Sequence, residues 1–136
     1  MPRRWYFLLG NPIREEENVV WEERIREALQ GWKAHGRPVM FEVDFPYHHY
    51  VAVTALSPVS GCAIDQLFRT LLPLLNPLPT HYLAIRKNEK VEIKMFYEII
   101  KLKNEGLWQE GWRVIEVVGD ELLERPIEES GLAVHL

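Results

Sequence analysis

The only cysteine in the 136-residue chain, Cys62, sits in "SGCAID", between Gly61 and Ala63 and three residues before Asp65. A cysteine in the first turn of a helix faces unpaired backbone N–H groups and the positive end of the helix dipole. Both favour the thiolate, the form that attacks electrophiles. A second chemistry-bearing element, "WKAHGRPV", places His35 before Gly36. Thiol, imidazole and carboxylate brought together would make a nucleophile, a general base and an orienting group, with Cys62, His35 and Asp65 in those roles. Each residue also has an ordinary structural use. Cysteine is among the most buried residue types and fills small spaces. Asp65 suits the dipole at a helix start, His35 suits the carbonyls at a helix end, and Ser60 is a natural N-cap. The sequence leaves both readings of Cys62 open.

Whether the groups meet depends on the elements that carry them. "RRWYFLL" reads as a buried strand closed by the turn "GNP". Trp21, Ile25, Ala28, Leu29 and Trp32 recur at helical spacing, which predicts a helix ending near His35 with Gly36 at C′ and Pro38 barring continuation. "PVMFEVDF" alternates, with Val39, Phe41, Val43 and Phe45 on one side, and "YVAVTAL" is its hairpin partner across "PYHH". A second helix is expected to start around Ser60, with Pro73, Pro77 and Pro79 ending it and forcing a connection. "HYLAIR" and "VEIKM" read as strands, "FYEIIKLKNEG" as a third helix and "WRVIEVV" as a last strand. "DELLER" suggests a helical turn in a loosely packed tail over 119–136.

That order predicts an α+β fold in one domain spanning 1–136. It is an antiparallel sheet of about five or six strands with helices mainly on one face, its first half a ferredoxin-like split βαβ. In that topology the end of the first helix and the start of the second share one edge. Residues 34–36 and 60–65 then form a ligand- or partner-binding edge, with Trp32, Gly36, Ser60 and Gly61 as binding residues.

Composition narrows the partners. The formal charge is −4, which gives no general attraction to nucleic acid. A local exception is the 86–103 segment, with six basic residues against Glu89, Glu92 and Glu98; it offers RNA binding as a third reading, depending on Lys94, Lys101 and Lys103. No zinc spacing exists: His48 and His49 are adjacent and diverge, and His81 is remote, so neither metal nor cofactor is expected. A single cysteine gives no internal disulfide, the apolar run after Met1 is short for a signal peptide, and no stretch approaches a membrane span; the expected location is the cytoplasm. The expected partner is an unidentified protein, peptide or small anionic ligand, with homo-oligomer formation also open.

The two elements together resemble a family of short bacterial proteins typical of the Bacteroidetes group, which carry W-x-A-H-G-x-P, a strand pair, then S-G-C-S-I-D. Trp32, Ala34, His35, Gly36 and Pro38 match the first element, and Ser60, Gly61, Cys62, Ile64 and Asp65 the second. Ala63 stands where the family has serine, and the paired aromatics Trp5 and Tyr6 are similar too. Members are often labelled "ABC transporter ATPase", yet this chain has no GxxxxGK[ST] phosphate loop, so the resemblance implies no nucleotide hydrolysis. It implies that the two elements belong to one site.

Overall fold

Alternation along the first strand decides how the N-terminal half is built. In the computed structural model, which describes residues 3–136, β1 (Arg3–Leu8) points Trp5 and Phe7 to one side. β5 (Tyr50–Ala55) pairs antiparallel with it at Trp5↔Val53 and Phe7↔Val51, and with β4 (Phe41–Asp44) at Val43↔Val53. The strand order β1-β5-β4 is that of the split βαβ, with the second hairpin strand in the centre. The inward side chains meet Ile25 and Leu29 from around α1 (Asn18–Ala28) and Leu67 and Leu71 from α2 (Gly61–Leu75) in one apolar cluster.

The α+β class holds, and the strands are shared out more finely than into one sheet of about five or six. Antiparallel sheets of three, two and four strands are present, and the chain forms two compact units, Met1–Leu78 and Pro79–Leu136. In the second unit β6 (Tyr82–Lys87), β7 (Lys90–Met95), β8 (Arg113–Val118) and β9 (Glu121–Pro126) make a sheet in the order β7-β6-β8-β9. Its apolar side packs Ile85 and Val114 with Ile99 of α3 (Phe96–Asn104) and with Ile127 and Leu132.

Four local expectations need correcting. The first helix ends at Ala28, a full two turns before His35. Trp32 continues the helical spacing only because it is buried from elsewhere: it opens a two-strand hairpin of β2 (Lys33–Ala34) and β3 (Arg37–Pro38). His35 and Gly36, at φ 53° and 75°, are the two central residues of its turn; positive φ at both is the mirror-image geometry that two-residue hairpins require. Of the three prolines expected to end the second helix, Pro73 lies inside α2, which runs on to Leu75 and stops at left-handed Asn76, directly before Pro77. "DELLER" is strand β9, folded back on β8 through Gly119 at φ 64°. The tail beyond it is packed down by two short 3-10 turns, with Ile127, Ser130 and Leu132 buried.

Candidate functional site

Ser60 starts α2 as the sequence suggests: its Oγ accepts the Ala63 N–H at 3.2 Å and satisfies one orphan donor of the first turn. Ala63 turns its small side chain into the core, and its carbonyl accepts a hydrogen bond from the buried Trp32 indole Nε1 at 2.7 Å. Gln66 adds a second tie, its side-chain amide donating to the Gly31 carbonyl at 3.1 Å. Two bonds therefore hold the β2–β3 hairpin against the start of α2. A Trp at position 32 serves twice, filling apolar space against Trp5 and Phe41 and supplying the only polar atom it has to a carbonyl.

Around this joint the candidate residues divide. Trp32 is structural and buried, and Ser60 is a half-buried cap. His35, Gly36, Gly61, Cys62 and Asp65 are exposed. Cys62 is therefore not a packing residue. Nor do the three reactive groups form a relay: among the described residues no hydrogen bond or ion pair links the side chains of Cys62, His35 and Asp65. The Asp65 backbone carbonyl accepts from Arg69 Nε at 3.4 Å. A Cβ built on Gly61 meets nothing within 4 Å, so the surface there is open to an approaching group. Gly36 is required by its φ.

The adjacent histidines act through their backbone. The His48 carbonyl accepts the Ile13 N–H at 2.6 Å and the His49 carbonyl the Leu9 N–H at 2.8 Å, pinning the 9–13 loop. Burial holds the His49 imidazole below its usual 6.5, and neighbouring His48 pushes in the same direction. Its Nδ1 is buried without a partner. Among the described residues no group of three His, Cys, Asp or Glu side chains is placed to hold a metal ion.

In the 86–103 segment, Arg86 pairs with Glu124, Lys87 with Glu92 at 2.7 Å, Lys101 with Glu105 at 4.0 Å and Lys103 with Glu128 at 2.7 Å. Those four charges are answered locally, which weakens any field the segment presents to a polyanion.

A feature that sequence reading passed over lies at "LWQEGW". Trp108 and Trp112 meet edge to face at 5.3 Å and 82°, and Lys87 Nζ sits 4.5 Å over the Trp112 ring. Concave surface lies around this loop. Its signal in the sequence is two tryptophans four residues apart around Gly111, which takes φ 91°.

No family model, curated protein or solved structure matches the chain. Among the described residues no helix is long and apolar enough to cross a membrane.

Proposed function

We propose that this protein is a small cytoplasmic binding module of the bacterial family that its two sequence elements resemble. Its recognition edge is the His35–Gly36 turn together with the first turn of α2, residues 60–65. The observation that carries this reading is the buried Trp32–Ala63 hydrogen bond. It fixes the hairpin on the helix start while His35, Gly36, Gly61 and Cys62 stay exposed, so the edge is ordered before a partner arrives. Preordering reduces the entropy lost on binding. The partner is a protein or peptide segment that lays its backbone against the open glycines.

The test is a photoactivatable cross-linker on Cys62, compared in cell extract with the same reagent on Val134→Cys in a Cys62→Ser background. The reading predicts a discrete adduct from position 62 that His35→Ala reduces about tenfold, the scale of a single contact in a recognition hot spot. Equal adducts from both positions, or none from position 62, overturn it.

A second reading, a cysteine-dependent hydrolase or transferase, draws on the exposure of Cys62 in the first helical turn. It requires His35 to reach the thiol on substrate binding, and it predicts loss of all turnover in Cys62→Ser.

A further inference from the structure

We infer that the Trp108–Trp112 loop of the second unit binds a neutral, extended oligosaccharide across the Trp112 ring. The loop follows α3: the Leu107 and Trp108 N–H groups both donate to the Leu102 carbonyl, and the Trp112 N–H closes a turn on the Gln109 carbonyl at 3.2 Å. Trp112 is fixed by two contacts, the edge-to-face Trp108 ring and the Lys87 ammonium. Two grooves, of about 470 Å³ and about 550 Å³, adjoin at this residue, both within the usual size range of ligand sites. Trp112 and Gln109 line both. A ligand filling both adjoining grooves meets these two shared side chains and extends beyond them, which suits a chain of at least two sugar rings.

The lining identifies the class. The first groove carries Lys103 and Arg113 against Glu110 and Glu128. The second carries Lys87 and Lys90 against Glu89 and Glu92. Each sums to zero, so neither steers a polyanion or a polycation. Between the charges stand two exposed amides, Asn88 and Gln109, each a donor and an acceptor on one planar group. A sugar hydroxyl is likewise donor and acceptor together, and neighbouring hydroxyls match a planar bidentate group. The tryptophan rings supply the apolar area that the C–H face of a sugar ring covers. A nucleic acid or phosphorylated ligand would leave four carboxylates facing its charge.

Calorimetric titration of the intact chain with hexasaccharides of β-1,4-glucose, α-1,4-glucose and β-1,4-N-acetylglucosamine tests this. A heparin hexasaccharide and a proline-rich decapeptide serve as comparators. The inference predicts that at least one neutral hexasaccharide binds with a Kd on the order of 0.1–1 mM, an ordinary strength for a shallow site, and that its monosaccharide is about tenfold weaker. Gln109→Ala, an exposed side chain with no internal hydrogen bond, lowers the affinity about tenfold, as does Trp112→Phe, which keeps a ring in place. Absence of binding by all three neutral hexasaccharides at about 10 mM overturns it, since that concentration saturates a site of the stated strength. Binding unchanged in both variants, or preference for the heparin or proline-rich comparator, overturns it as well.

Discussion

The two compact units solve the same problem with different means. The first gathers sixteen buried apolar residues into one cluster, from Phe7 through Leu75; most of its ion pairs, such as Arg14–Glu17, join near neighbours at the surface, and Arg4–Asp44 links β1 to β4. The second has five buried residues in its cluster and ties its strands and tail with charge: Arg86–Glu124, Lys103–Glu128, and Glu116 with Arg125 at 3.1 Å. Glu116 also accepts the Gly131 N–H at 3.0 Å, and a Cβ on Gly131 would come within 3.1 Å of that carboxylate. A large apolar core leaves its rim free to present an exposed edge; a small one depends on polar clasps whose strength varies with pH and salt.

Core truncation should give the largest effect. Leu67 is fully buried, and Leu67→Ala is expected to destabilise the chain by about 2–5 kcal/mol in denaturant titration. A loss below about 1 kcal/mol would mean that the first unit does not rest on this cluster. Next comes Trp32→Phe, which keeps a six-membered ring but removes the indole bond to the Ala63 carbonyl and part of the packing around it, at an expected cost of about 1–3 kcal/mol. Faster amide exchange at residues 33–38 should accompany it. In the second unit, Glu116→Gln should cost about 1 kcal/mol and raise exchange at Gly131, while Glu16→Gln in the first unit, where Glu16 only pairs with Arg14 at 3.6 Å on exposed side chains, should have little measurable effect. Equal losses from the two would erase the contrast between clasp and surface pair.

The smallest effect is on the pH dependence of stability. His49 is held below 6.5 by burial, so below that value the unfolded chain binds more protons than the folded one. The stability it confers is present above 6.5 and is lost as pH falls toward the folded value. Glu92 and Glu128 are held below 4.5, chiefly by hydrogen bonds from Lys87 and Lys103, so their contribution is present above 4.5 and lost as pH falls through the folded values. Stability should therefore decline in two windows, and His49→Phe should flatten the upper one alone. A single decline below 4.5 in both proteins would contradict this.

Much of this architecture is legible in the residues. β4 alternates cleanly, β1 and β5 are runs of aromatic, aliphatic and β-branched residues, Ser60 caps α2, and Gly106 follows α3 in left-handed geometry. The errors share one cause: burial has more than one origin. Trp32 extends the helical period although it reaches the core from a hairpin, and Leu122 and Leu123 look like a helical turn although Gly119 folds them into an edge strand. Pro73 sits in the last turn of α2, which ends two residues later, before Pro77. At the site, the meeting of hairpin and helix start follows from element order. The missing relay among Cys62, His35 and Asp65 depends on side-chain directions, which spacing does not encode.

The most direct test is the alkylation rate of Cys62 in folded protein over about pH 5 to 9, against the denatured chain. A binding edge predicts a folded rate within about threefold of the denatured rate, unchanged by His35→Ala. Protection until unfolding, or a rate near pH 6 far above the denatured thiol and dependent on His35, would contradict it.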